Sequence, residues 1–248
     1  MSSGHVRTGL AVGLALASCG LDAAAATAKP VSGPHQVVDS RLTTTRPGAP
    51  TGAVYTGRYH AAHDPNGAPP YMRRMVAYPP RGFRYDTGVP ARCGASDVEL
   101  EAFGGSACPK ASRIGGGTTQ GVFLDRFRNT LPVEVFNNAN EQILLVGSPG
   151  LATVARGRIH RSGAVEFASP TCFPAVQPCP VDNALQLGSS VRFARYTRSV
   201  NGRTRSYMTT APRCPRGGEW RTPIRFWWAD GSVDTVVTKQ PCRGARGA

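Results

Sequence analysis

The sequence predicts a mainly β protein, an antiparallel β-sandwich with one short helix bracketed by a disulfide. Three observations carry that expectation. The apolar runs are short and divided by Gly, Pro and Asn. Two dipeptides, Asn201-Gly202 and Asp230-Gly231, accept the positive φ of tight hairpins. An even set of cysteines remains once the N-terminal one is set aside. With 40% apolar residues over 248 positions, the chain can bury a real core.

The N-terminus comes first. His5 and Arg7 precede an apolar run from Leu10 to Ala17, the layout of a secretory signal and too short to span a bilayer. Leu16-Ala17-Ser18-Cys19 fits a lipobox, in which Cys19 is acylated and cleavage falls before it. Residues 1–18 are therefore read as a lipoprotein signal peptide, with the membrane as partner through the lipid. A second small-x-small site, Ala26-Thr27-Ala28, would instead release a soluble protein beginning at Lys29. The expected address is the outer face of the cell membrane, or the exterior.

Residues 19–70 are rich in Ala, Thr, Gly and Pro and read as a flexible linker, with Val54 to Tyr59 a candidate first strand. The domain is expected over residues 71–248. Met72 to Tyr78 opens it as a strand halted by Pro79-Pro80. Ser96 and Glu99 then form a capping box for a helix that ends at Gly104, with Val98, Leu100 and Phe103 as its apolar contacts. A helix so short is marginal alone. A Cys93 to Cys108 bridge, contributing roughly 3 kcal/mol in the chain-entropy model, would hold it.

Further strands are expected at Thr118 to Leu124, Leu131 to Phe136, Gln142 to Gly147, Val154 to His160, Val165 to Ala168 and Ala184 to Val200. A two-residue loop at Asn201-Gly202 pairs Val200 with Arg203, Arg198 with Arg205 and Tyr196 with Tyr207. A two-residue loop at Asp230-Gly231 pairs Trp228 with Val233, Trp227 with Asp234 and Ile224 with Val237. Side chains alternate along a strand. Trp220, Ile224, Phe226, Trp228, Val233 and Val237 then share the core face, with Arg221, Arg225, Trp227 and Asp234 opposite.

Cysteine usage agrees with export. Without Cys19 the set is Cys93, Cys108, Cys172, Cys179, Cys214 and Cys242, and sequential pairing is preferred because the first two pairs bracket short segments. Zinc is disfavoured by the absence of a C-x2-C pair or suitably spaced His. No metal or cofactor is expected.

The 29 Lys and Arg against 15 Asp and Glu give a net charge of +14, almost all of it Arg. Such a surface suits polyanions, although the same Arg, Ala, Gly and Val bias is also the mark of GC-rich coding. Nucleic acid is not expected, since no known binding module is legible. The preferred ligand residues are Tyr196, Arg198, Arg205 and Tyr207 on one hairpin and Arg221, Arg225 and Trp227 on the other. Aromatic planes beside guanidinium groups suit acidic sugars and other anions.

Catalytic motifs are missing: there is no G-x-S-x-G, H-E-x-x-H or phosphate loop. Gly115-Gly116-Gly117 reads as a bend entering a strand. His60, His63 and Asp64 lack a further ligand nearby. Glu134 and Glu166 are the carboxylates a glycosidase mechanism would pair, if one groove held both.

Cys93-Gly94-Ala95-Ser96, Cys108-Pro109, Ser112-Arg113-Ile114-Gly115, Gly117-Thr118, Cys214-Pro215, Trp220, Phe226, Asp230-Gly231 and Pro241-Cys242 together carry a family likeness. Over roughly Pro70 to Cys242 the chain resembles a family of uncharacterised secreted and lipoprotein β-domain proteins of high-GC Gram-positive bacteria. The resemblance implies a Cys-bracketed helix, then strands, then a closing Trp-containing hairpin, and transfers no activity. The expected function is thus a non-enzymatic cell-envelope module binding an anionic or glycan component. The alternatives are a small exported hydrolase, or a carrier of an apolar ligand, which requires a cavity beside Ile143 to Val146 and Val165 to Phe167.

Overall fold

Strand formation begins well before Pro70. In the computed structural model, which describes residues 30–123, 127–169 and 184–244, Val31–Ser32 (β1), Gln36–Leu42 (β2) and Ala53–Tyr59 (β3) already belong to the main sheet. The linker expectation is corrected for this stretch. Its inward positions are Gln36, Val38, Ser40, Tyr55, Gly57 and Tyr59, so polar and small residues mask the alternation that a hydrophobicity reading needs. The signal segment, Cys19, Cys172 and Cys179 lie outside the described residues.

The remaining elements are Met72–Ala77 (β4), Arg84–Tyr85 (β5), helix Asp97–Phe103 (α1), Arg113–Phe123 (β6), Phe127–Asn138 (β7) and Glu141–Val146 (β8). They continue with Thr153–Ile159 (β9), Val165–Ala168 (β10), Ala184–Phe193 (β11), Thr197–Val200 (β12) and Arg203–Ser206 (β13). Met208–Thr209 (β14), Glu219–Trp228 (β15) and Val233–Pro241 (β16) complete the chain. All pairings are antiparallel, as expected. Twelve strands form one sheet in the order β1-β2-β3-β11-β6-β7-β8-β9-β10-β4-β15-β16, while β12-β13 and β5-β14 are separate ribbons.

The sheet rolls until its two ends almost meet. Gln240 on β16 donates through Nε2 to the carbonyls of Leu42 (2.9 Å) and Thr44 (3.1 Å), and its Oε1 accepts from the Leu42 amide (2.6 Å). The Arg243 amide adds a bond to Thr45 O at 2.8 Å. Gly115 and Gly117, expected to precede the strand, lie within β6, where it presses against β11. A Cβ at Gly115 would collide with Arg192 O, and one at Gly117 with Ser190 O.

Asn201 (φ 50°) and Gly202 (φ 72°) form the two-residue turn, with Val200 opposite Arg203 and Arg198 opposite Arg205. At the other hairpin the loop holds three residues. Trp228 pairs with Ser232 through a 3.0 Å bond, and Gly231 (φ 86°) takes the left-handed position. Phe226 therefore faces Asp234, and Ile224 faces Val236. One extra loop residue flips all of β16. Val233 and Val237 leave the core, and Asp234, Val236, Thr238 and Gln240 enter it. Trp220, Ile224, Phe226 and Trp228 keep the predicted inner face. The run Ala184 to Val200 divides into β11 and β12, because the chain leaves the sheet at Ala194, whose amide bonds Ile114 O.

Helix α1 lies on the outside of the roll. Ser96 and Glu99 make the reciprocal capping box, with Ser96 N donating to Glu99 Oε2 at 2.7 Å, and Gly104 ends the helix at φ 63°. These Ser96 donors hold the Glu99 carboxyl below its ordinary value. Leu100 alone of the three expected contacts is buried; Val98 is 73% and Phe103 63% exposed. Leu100 and the Cys93–Cys108 disulfide pack on Phe136, Ile143 and Leu145 from β7 and β8. Cys214–Cys242 joins the approach to β15 with the end of β16, so both expected pairings that fall within the described residues are present. No helix among the described residues is long and apolar enough to cross a membrane.

Candidate functional site

A β-roll of about eight strands is just filled by its own side chains or holds one small ligand; a larger one leaves space. Here one apolar cluster, Val38, Tyr59, Met72, Ile224, Phe226, Trp228 and Val236, packs one part of the interior. A second, including Phe83, Ile114, Val133, Val135, Val191, Tyr207 and Met208, packs another. Between them lies an apolar cavity of about 250 Å³. Its walls include Ala53, Ala77 and Ala155, positions whose side chains are too short to reach across.

Alternation decides which residues border this space. Leu144 and Val146 from β8 and Val165 and Phe167 from β10 face the cavity, whereas Ile143 and Leu145 face the helix. Phe167 lies over its cross-strand partner Gly157, whose missing side chain makes room for the ring.

Three tyrosines supply the polar handles. Tyr55 and Tyr59 sit on the same face of β3 with Gly57 between them, and their hydroxyls meet at 2.7 Å. A Cβ at Gly57 would stand 2.8 Å from one hydroxyl and 2.9 Å from the other. Tyr85 also borders the cavity, its ring edge-on to Phe83 and Tyr207, and its hydroxyl has no hydrogen-bond partner among the described residues. Burial pushes the Tyr59 hydroxyl up to about 12, with its Tyr55 bond opposing in part. Burial, then the neighbouring Tyr59, raises Tyr55 well above its ordinary value, and burial also raises Tyr85. All three are neutral at physiological pH and able to donate. At the wall, Gln142 Nε2 donates to Tyr207 Oη (3.0 Å), and Gln186 Nε2 to Thr119 Oγ1 (3.0 Å).

The predicted ligand residues separate. Tyr207, expected beside Tyr196 on an open face, is 0% exposed, because β13 ends at Ser206 and the chain then turns into the interior. The backbone still pairs there, Tyr207 N donating to Tyr196 O at 3.0 Å. Tyr196 is half-buried and donates to Ala111 O (3.4 Å); Arg198 is exposed. Arg205, still opposite Arg198 in the hairpin, is paired with Asp86, with contacts of 3.0 and 2.5 Å. The outer face of β15 stays together. Arg221 and Arg225 are exposed, and the half-buried Trp227 ring has Arg74 at 3.9 Å and Arg225 at 4.9 Å from its centre.

The hydrolase pair does not form. Glu134 on β7 binds Arg113 (3.1 Å), while Glu166 on β10 binds Arg74 (3.2 Å) and His160 (2.9 Å). Strands β8 and β9 stand between them, a lateral distance of about 14 Å at normal strand spacing, beyond the reach of a glycosidase pair. The His60 ring is engaged by Ala61 O (2.8 Å).

Sequence reading missed the tyrosine handles. Tyr55-x-Gly57-x-Tyr59 carries the usable signal, since period-two spacing puts both rings on one face with a gap between them. Tyr85 carries no such pattern, because β5 has only two residues.

Comparison of the chain with protein-family models, with curated proteins and with solved structures finds no match in any of the three.

Proposed function

We propose that the protein is an exported, non-enzymatic carrier that holds a small apolar molecule inside its rolled sheet. The cavity carries this reading: about 250 Å³, apolar in its walls and marked by a few polar groups, the usual make-up of a small-molecule site. A dry engineered cavity of roughly 150 Å³ takes up benzene, so a guest of about ten to twelve heavy atoms fits here. Export is supported by the signal segment, by two disulfides in the described residues and by the resemblance to secreted proteins. Acylation at Cys19 would hold the carrier at the outer face of the membrane.

Naphthalene tests the cavity. Saturating naphthalene should raise the thermal midpoint of the protein, and Ala155→Phe, which fills the space from the wall, should abolish the rise while Arg225→Ala on the outer face keeps it. An equal rise in the Ala155→Phe protein would show that naphthalene binds elsewhere. A second site is favoured by the β15 exterior. Arg221, Arg225 and Lys239 share that face with Trp227 and have no carboxylate partner among the described residues, which suits an anionic or glycan component of the cell surface.

A further inference from the structure

We infer that the guest is a neutral molecule whose apolar body carries a carbonyl-type oxygen, received by the hydroxyls of Tyr55, Tyr59 and Tyr85. The inference rests on the cavity reading and specifies its ligand class. In the Tyr55–Tyr59 pair one hydroxyl donates and the other accepts, which leaves one O–H of the two without an acceptor. The Tyr85 O–H has none among the described residues. The tyrosines therefore offer two spare donors on rigid rings, beside the Trp220 indole N–H, which also belongs to the lining and is buried without a partner among the described residues.

A pure hydrocarbon would leave both donors unsatisfied in an apolar space, which is unfavourable. A carboxylate would satisfy them but would have to shed its water without a compensating cation. Among the described residues the lining holds one cationic side chain, Arg41, and it is paired with Asp39 at 3.7 Å. Raised hydroxyl pKa values keep the three tyrosines protonated, so they remain donors across the physiological range. A ketone, ester or quinone oxygen meets these conditions. Donors that belong to both packed parts of the interior also fix orientation, since Tyr55 and Tyr59 pack with the Phe226 cluster and Tyr85 with the Tyr207 cluster.

Calorimetric titration of the intact protein with tetralin, 1-tetralone and 1-naphthoate separates the cases, because the three differ in little but the polar group. The expected order is 1-tetralone tightest, about five- to tenfold over tetralin, and 1-naphthoate weakest. The double variant Tyr55→Phe/Tyr59→Phe and the single variant Tyr85→Phe, which remove only hydroxyl oxygens, are made separately, and at least one should bring the tetralone-to-tetralin ratio close to one while tetralin affinity is kept. Equal affinities for tetralin and 1-tetralone would overturn the inference, as would tightest binding of 1-naphthoate or a ratio that survives both variants. In each of these outcomes the cavity reading stands. Failure of both tetralin and 1-tetralone to bind would overturn the cavity reading itself.

Discussion

Replacing Asp234 with Ala should destabilise the fold far more than replacing its neighbour Val233, an inversion of what residue type alone suggests. Asp234 is 7% exposed and accepts a hydrogen bond from the Trp228 indole N–H at 2.8 Å. Its loss leaves a buried N–H unsatisfied beside Phe226 and removes a charge-assisted bond, together about 2–3 kcal/mol. Val233 is 44% exposed at the mouth of the hairpin, so Val233→Ala should cost under about 1 kcal/mol. Urea unfolding monitored by tryptophan fluorescence gives both values, and Asp234→Asn, which keeps an acceptor, should recover part of the loss. With a two-residue loop at Asp230-Gly231 the ranking would reverse, Val233 being core and Asp234 solvated. A larger loss for Val233→Ala than for Asp234→Ala would therefore refute the three-residue loop and the placement of all of β16.

Removing the Cys93–Cys108 bridge by a double Ala substitution should cost about 3 kcal/mol on chain-entropy grounds, since the closed loop spans 15 residues; calorimetry under non-reducing conditions measures it. The buried tyrosines set an alkaline limit. Tyr59 ionises near its ordinary value of 10 when unfolded and only at about 12 when folded, so the unfolded chain loses that proton first. The stability this hydroxyl contributes is intact below about pH 10 and is lost as pH rises to about 12, by about 2–3 kcal/mol. Phenolate absorbance should show Tyr55, Tyr59, Tyr85 and Tyr207 titrating only together with unfolding. Combining Arg221→Ala, Arg225→Ala and Trp227→Ala should lower retention on isolated anionic cell-wall polymer without changing the naphthalene shift; unchanged retention would dispose of the outer-face site.

The legible parts of the fold are those in which a local rule acts without competition. The Ser96/Glu99 box, the Asn201-Gly202 turn and the Cys93–Cys108 pair each depend on a few neighbouring residues, and each forms as expected. The β16 register depended on a single loop residue. Asp230-Gly231 is compatible with a two-residue turn and equally with a three-residue loop that places Gly231 in the left-handed region, and sequence offers nothing local to choose between them. Strand β2 was obscured for another reason, whereas β3 coincides with the candidate strand Val54 to Tyr59. An inner face that borders a cavity, or that serves a seam, is built with Gln, Ser, Gly and Tyr, and composition then resembles a linker. The cavity was legible only as a condition, that Ile143 to Val146 and Val165 to Phe167 should fail to pack shut. Whether opposed walls touch is a long-range property that no single strand reports.

The junction between β2 and β16 has a mechanical consequence. Every other boundary in the roll is a backbone ladder, whereas this one is latched by the amide of Gln240 and one main-chain bond from Arg243. Parting it unzips no ladder, but it also separates Val38 of β2 from Val236 of β16 within one buried cluster. Hydrogen exchange at the Leu42 amide, which donates to Gln240 Oε1, would report how often this latch opens.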